Sequence, residues 1–170
     1  PKFFVVMDLT SGYHQAPVGK RSRTWIAFIT QNGVYEWLRL PMGLKGAPSY
    51  FQRQMQSLVL AGLVYKICEI YLDDCIIFAS SEEELIENLT AVLARFKKFG
   101  LTVNPKKCVF GVSEVEAVGH KINEWGHTFT RERVDSIVAI PKPNTQKQLK
   151  HFMGVANFVR DCVRDYALIA

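Results

Sequence analysis

Three carboxylates stand where charge is hardest to accommodate. Asp8 closes the run Phe3-Phe4-Val5-Val6-Met7, which carries no charge of its own. Asp73 and Asp74 sit side by side between two short apolar stretches, residues 66–71 and 75–79. A carboxylate at the mouth of an apolar strand is costly to cover unless something neutralises it, and two adjacent like charges repel unless a cation lies between them. Mg²⁺ takes a few hard oxygen ligands and completes its shell with substrate phosphates. Two such ions about 3.5–4 Å apart align an attacking hydroxyl with a phosphate for in-line displacement. The plainer reading is structural: Asp is a frequent turn residue because its side chain bonds the local backbone, and Asp8 taken alone is a strand-end cap.

The surrounding pattern supplies elements able to hold these groups. Residues 3–9, rich in Phe and Val, read as a buried strand ending in Thr10-Ser11-Gly12. Residues 24–29 and 34–38 are β-prone and are joined across Gln31-Asn32-Gly33, a hairpin signal because Asn and Gly tolerate positive φ. A loop over Pro41-Met42-Gly43-Leu44-Lys45-Gly46 leads to a helix with Pro48 in its first turn and Ala47, Phe51, Met55, Leu58 and Gly62 on one face. The runs around Leu72-Asp73-Asp74 predict a second hairpin. Residues 81–99 form the clearest helix, with a Ser81/Glu84 capping box, an apolar stripe of Leu85, Leu89, Val92, Phe96 and Phe99, and Gly100 at the exit. Glu82-Glu83-Glu84 suit that helix's first turn as a solvated face. Short strands follow at 109–110, 117–122 and 128–129. A helix over 131–140 is stopped by Pro141 and Pro143. Another, opened by a Thr145–Gln148 capping box, places Leu149, Phe152, Met153 and Ala156 together. Hairpins mixed with helices, without βαβ regularity, predict an α+β domain: an antiparallel sheet with helices on one face.

Bulk properties narrow the field only modestly. A 170-residue chain suits one domain, and 48% hydrophobic content is ordinary for a globular protein. No apolar run approaches the roughly 18 residues of a membrane span. The apolar start is too short for a signal peptide and reads as a strand beginning abruptly, in a piece of a longer chain. The net charge of +5 is compatible with a polyanionic partner. Cys68, Cys75, Cys108 and Cys162 form no C-x-x-C pair, so they are expected to be buried apolar residues of a reduced, intracellular protein.

The ordered motifs carry more. Asp8-Leu9-Thr10-Ser11-Gly12-Tyr13-His14-Gln15, Leu40-Pro41-Met42-Gly43-Leu44-Lys45-Gly46-Ala47-Pro48, Phe51-Gln52 and Tyr71-Leu72-Asp73-Asp74 resemble, in order and spacing, the motifs of reverse transcriptases. Asn104-Pro105-Lys106-Lys107-Cys108, Val118-Gly119-His120 and the stretch 149–158 resemble the pattern of long-terminal-repeat retrotransposons of the Ty3/gypsy type. The resemblance covers essentially the whole chain. It implies a polymerase palm over 1–144, with a fingers-like insertion around 17–40 and the start of a thumb or connection over 145–170. It implies RNA-directed DNA polymerase activity, transferring deoxynucleotides from dNTPs to a primer 3′-hydroxyl on an RNA or DNA template. The cofactors would be two Mg²⁺ ions, with Mn²⁺ a possible substitute. The alternative is a non-catalytic nucleic-acid-binding remnant of such a polymerase.

Residue by residue, the resemblance makes Asp8, Asp73 and Asp74 catalytic metal ligands, with the Leu9 backbone carbonyl completing one shell. Tyr13 would pack under the incoming sugar and exclude a ribose 2′-hydroxyl; otherwise it is a core tyrosine. Met42 and Gly43 would border the nucleotide, Met42 standing where some retroviral relatives carry Gln. Either Lys106 or Lys107 would serve the triphosphate, or both are solvated surface. Tyr71, Pro48, Gln52 and the turn Val118-Gly119-His120 would meet template or primer. Gln52 would support the 40–48 loop or lie on a plain helix surface, and Val118-Gly119-His120 would otherwise be an ordinary strand turn. Cys75 replaces the family's more usual aliphatic residue as a small core side chain. The expected surroundings are the remaining fingers, thumb and RNase H segments of a parent polyprotein, no membrane, and a cytoplasmic, virus-like particle.

Overall fold

The structure is a computed structural model that describes residues 1–160 and 163–169. Cys162 lies outside the described residues. The chain divides into two compact units, Pro1–Val115 and Glu116–Ala170.

The first unit is built on a four-stranded sheet in the order β4-β5-β1-β6, comprising β1 (Phe3–Asp8), β4 (Cys68–Tyr71), β5 (Asp74–Ala79) and β6 (Val109–Val112). β5 pairs antiparallel with both β4 and β1. Period-2 alternation sorts the side chains. Val5 and Met7 of β1, Cys68 and Ile70 of β4, and Cys75, Ile77 and Ala79 of β5 belong to one buried cluster with Phe51, Met55, Leu85, Val92 and Phe96 from the helices. The opposite parity carries Val6, Asp8, Glu69, Tyr71, Asp74 and Ile76. The helices thus pack on one face, and Asp8 and Asp74 belong to the other.

Those helices are α3 (Ala47–Gln54), which follows the short α1 (Gly12–Gln15) and α2 (Lys20–Arg23), and α4 (Glu82–Phe99). Ser81 caps α4 by accepting from the Glu84 amide at 3.2 Å, and Gly100 ends it in the left-handed region at φ 67. α3 departs from the sequence expectation at its end. It runs on into a single π turn, Met55–Val59, with the Leu60 amide bonded to the Met55 carbonyl at 2.8 Å. The extra residue in that turn rotates the apolar face. Leu58, expected inside, is 51% exposed, whereas Val59 is 6% exposed.

The hairpin of residues 24–38 is shorter than its composition suggests. Only β2 (Phe28–Thr30) and β3 (Gly33–Tyr35) pair, with Thr24–Ile26 in a 3₁₀ turn. At its tip Gly33 alone takes positive φ, at 131. Among the cysteines, Cys68 and Cys75 are buried and Cys108 is half-buried.

The second unit contains the sheet β7-β8-β9, whose first strand β7 (Glu114–Ala117) begins at the division, with β8 (His120–Asn123) and β9 (Gly126–Phe129). The single strand expected over 117–122 is two strands, because Val118 and Gly119 both turn left-handed, at φ 52 and 77. Helices α5 (Arg131–Val138), α6 (Gln146–Phe158) and α7 (Tyr166–Ile169) complete it. The Thr145/Gln148 capping box at the start of α6 is present in both directions. No helix among the described residues is long and apolar enough to cross a membrane.

Candidate active site

Antiparallel register, not sequence proximity, assembles the carboxylates. β1 and β5 pair from Phe3↔Ala79 to Asp8↔Asp74, so these two aspartates are direct cross-strand partners at the end of the ladder. Side chains of such partners share a face, with Cβ atoms about 4.5–5.5 Å apart. Asp73 is the second residue of the two-residue turn between β4 and β5, and its carbonyl accepts from the Leu9 amide at 3.0 Å. Leu9 turns its own side chain into the core, which leaves only its backbone on the carboxylate side. Leu72, the first turn residue, is left-handed at φ 53, a conformation that costs an L-residue about 1–2 kcal/mol and must be held by its surroundings.

The Asp8 segment is fixed by a neighbouring stretch. Thr10 N–H donates to the Thr102 carbonyl at 3.0 Å and Asn104 N–H to the Asp8 carbonyl at 2.8 Å. Gln15 ties this junction from outside. Its Nε2 donates to the carbonyls of Thr10 and Thr102 at 2.6 and 2.8 Å, and its Oε1 accepts from the Thr102 amide at 2.7 Å. Beyond it Asn104 forms an Asx turn, its Oδ1 accepting from the Lys106 amide at 3.2 Å. The turn delivers the Lys107 ammonium to 3.6 Å from Asp8 Oδ2. The sequence left Lys106 and Lys107 equivalent; the geometry puts Lys107 beside Asp8.

Charge is concentrated and poorly hydrated here. Burial, then the neighbouring Asp8 and Asp74 carboxylates, push the Asp73 carboxyl above the ordinary carboxylate range, with Lys107 partly opposing. Burial and Asp8 push Asp74 up likewise, again against Lys107. Asp73 Oδ1 is buried and has no hydrogen-bond partner. An orphaned carboxylate oxygen is costly to desolvate, and a carboxyl whose neighbours include two further carboxylates suits a cation better than a neutral donor. The described residues include no group of three or more His, Cys, Asp or Glu that could hold a metal ion, so an ion at Asp8, Asp73 and Asp74 would need water and substrate phosphates to complete its shell.

Gly12 was not singled out from the sequence, yet it bounds the site. A Cβ there would lie 2.7 Å from Asp73 Cγ and 3.3 Å from Oδ2, and closer still to Oδ1. The missing side chain is the space that the Asp73 carboxylate occupies. Gln15 was also passed over. In one sequence neither residue differs from a turn glycine or a helix-surface glutamine.

Of the remaining expected residues, Tyr13 and Tyr71 stand near Asp73. Burial first, and then the charges of Asp73 and Tyr71, raise the Tyr13 hydroxyl pKa. The Tyr13 ring packs edge-on against Phe51 at 5.4 Å between centroids. Tyr71, paired with Asp74, is exposed. Gln52 points to the hairpin instead of the 40–48 loop, bonding Ile70 and Leu72 backbone groups. That loop is hung from the α1 exit by Leu40 N–H donating to the Ala16 carbonyl at 2.9 Å. Met42 is exposed, Gly43 is left-handed at φ 88, and Pro48 lies in the first turn of α3. Gly46 takes an ordinary φ of −88. In the second unit, Val118 and Gly119 make the β7–β8 turn, and His120 stacks on Phe129 with centroids 4.6 Å apart.

The family described as reverse transcriptase (RNA-dependent DNA polymerase) matches residues 1–122. The chain is 38% identical over 169 residues to the retrovirus-related Pol polyprotein from transposon opus of Drosophila melanogaster, covering 99% of this chain and 17% of that polyprotein. It is 35% identical over 169 residues to the corresponding polyprotein from transposon gypsy of the same organism, covering 99% and 16%. It is 34% identical over 158 residues to the transposon Tf2-3 polyprotein of Schizosaccharomyces pombe, covering 92% and 12%. The chain therefore spans less than a fifth of the length of these relatives. Among solved structures it resembles the foamy viral protease-reverse transcriptase in complex with double-stranded DNA, with a TM-score of 0.83 and 28% identity over 99% of this chain and 29% of that one. A second structure of that viral protein, with an RNA/DNA hybrid, gives a TM-score of 0.73 at 28% identity over 94% of this chain and 21% of that one.

Proposed function

The chain belongs to the reverse transcriptase family, and from that premise we propose that it forms the catalytic palm of an RNA-directed DNA polymerase within a larger polyprotein. The observation that carries the proposal is the Asp8↔Asp74 pairing beside Asp73, whose Oδ1 is buried and unpartnered. Asp8, Asp73 and Asp74, with the Leu9 carbonyl, would hold two divalent ions, Mg²⁺ or Mn²⁺. When bound, these ions would supply charge neutralisation and alignment for in-line attack of a primer 3′-hydroxyl on a deoxynucleoside triphosphate.

The protein's own contribution is positioning, which accounts for much of the rate in such reactions. Lys107, rather than Lys106, offers a cation on the carboxylate face for the triphosphate or the leaving pyrophosphate. Tyr13, wedged between Phe51 and Asp73, would lie under the sugar and leave no room for a ribose 2′-hydroxyl. Met42 and Gly43 would border the nucleotide. Pro48 and Tyr71 would lie on the template or primer side, and Val118, Gly119 and His120 would grip the primer.

The partners would be an RNA or DNA template with its primer, dNTPs, and the remaining fingers, thumb and RNase H segments. Residues 1–144 would serve as palm, with a fingers-like insertion around 17–40, and residues 145–170 as the start of the thumb. A virus-like particle is the fitting site of action. The test is RNA-templated primer extension by the full-length parent. Wild type should extend and Asp73→Asn, melting cooperatively at or above the wild-type temperature, should not. Normal extension by Asp73→Asn would defeat the assignment.

A further inference from the structure

β4 is an edge strand. The backbone groups on its outer side therefore need partners from outside the sheet. Two of them find one in a single side chain. Gln52, in the middle of α3, donates from Nε2 to the Ile70 carbonyl at 2.7 Å and accepts at Oε1 from the Leu72 amide at 2.7 Å. A carboxamide has the donor and acceptor of a peptide unit. Here it reproduces the i, i+2 pattern that a neighbouring strand would present.

The second of these bonds falls on the left-handed turn residue. In a two-residue hairpin turn the amide of the first central residue has no partner within the turn, since the closing bonds join the flanking residues, here Tyr71 and Asp74. Left to itself, a branched side chain at that position favours a right-handed or extended backbone, and the turn would re-aim the residue after it. That residue is Asp73. Its carboxylate occupies the space that a Cβ at Gly12 would fill.

We infer that Gln52 is a positioning residue for Asp73: by standing in for a strand along the outer edge of β4, its carboxamide holds Leu72 left-handed and so keeps the Asp73 carboxylate beside Asp8 and Asp74. This inference rests on the metal-binding function proposed above and deepens it, because it moves Gln52 from the nucleic-acid surface to the support of a metal ligand.

The test uses Gln52→Met in the full-length protein, which keeps the side chain's length and removes both bonds. Gln52→Asn, whose amide falls one methylene short, is the second variant if the first folds poorly. Gln56→Met on the same helical run is the control. Exchange at the Leu72 amide, read by hydrogen–deuterium exchange, should quicken. The dissociation constant for Mn²⁺, read by electron paramagnetic resonance, should rise about tenfold, as should the half-saturating Mg²⁺ in primer extension, with template–primer affinity held within about twofold. Gln56→Met should change none of these. Wild-type Mn²⁺ affinity in both Gln52 variants overturns the inference, as does weakened template–primer binding alone, which would return Gln52 to the nucleic-acid surface. Asp73→Asn is measured alongside. If it binds Mn²⁺ and extends primers like wild type, the proposed function fails and takes this inference with it. If Asp73→Asn is inactive while the Gln52 variants are normal, only this inference fails.

Discussion

Replacing Gly12 by alanine should be among the most damaging single-methyl changes in the molecule. The added Cβ would lie 2.7 Å from Asp73 Cγ, against about 3.5–4.0 Å for an unstrained carbon contact. One of the two must move by about 1 Å. The backbone at residue 12 has little freedom, since the Ser11 carbonyl accepts from His14 N–H at 2.8 Å and the following Tyr13 ring packs on Phe51. The Asp73 carboxylate is the looser partner and would rotate away. Displacing a reacting group by about 1 Å can cost on the order of 100-fold in rate, while overpacking a site of this kind costs about 1–3 kcal/mol in stability. The assay is single-nucleotide primer extension by the full-length protein, with a melting curve taken on the same sample. Gly19→Ala is the control, because a Cβ there meets nothing within 4 Å. Gly12→Ala should lose about two orders of magnitude in kcat while still melting cooperatively. A folded Gly12→Ala protein with wild-type kcat would refute the reasoning, because it would show that the position of the Asp73 carboxylate against Gly12 is not the one that reacts.

Asp73→Asn should raise the melting temperature at pH 7. The folded-state pKa of Asp73 is raised, so its neutral form is the one favoured by folding; that stability is present below about pH 4 and is lost as pH rises through the folded pKa. The gain of the variant should vanish near pH 3, and a variant less stable than wild type at pH 7 would mark Asp73 as a structural cap. Tyr13→Ala should lower the ratio of kcat/KM for deoxy- over ribonucleotides by at least about tenfold, each factor of ten needing only about 1.4 kcal/mol; an unchanged ratio would reduce Tyr13 to core packing. Template–primer affinity should fall steeply between about 50 and 200 mM salt through counterion release, and a flat response would favour a chain without a nucleic-acid surface.

The elements that local pattern could specify are present: the Ser81–Gly100 helix with its cap and left-handed exit, the Thr145 capping box, and the hairpin bearing Asp73 and Asp74. Each depends on residues within a few positions of one another. The alternation along β1 and β5 puts Asp8 and Asp74 in one parity with Val6 and Ile76, opposite to Met7 and Cys75. What local pattern could not show was long-range or irregular. The pairing of β1 with β5 joins segments 66 positions apart at Asp8↔Asp74 (74 − 8). The π turn after α3, which exchanges Leu58 for Val59 in the core, leaves no composition mark. The choice of Lys107 over Lys106 depends on an Asx turn at Asn104. The roles of Gln15 and Gln52 appear only once the backbone groups they satisfy have been placed.

The central claim is that the carboxylates act as one metal-binding unit, and a double-mutant cycle tests it most directly. Single-turnover extension on an RNA template is measured for Asp8→Asn, Asp73→Asn and the double variant in the full-length protein. Groups that hold the same ions are interdependent, so each single change should cost about a thousandfold or more, and the second change should add almost nothing to the first. Small losses that multiply in the double variant would mean that Asp8 and Asp73 act independently, and would contradict the account.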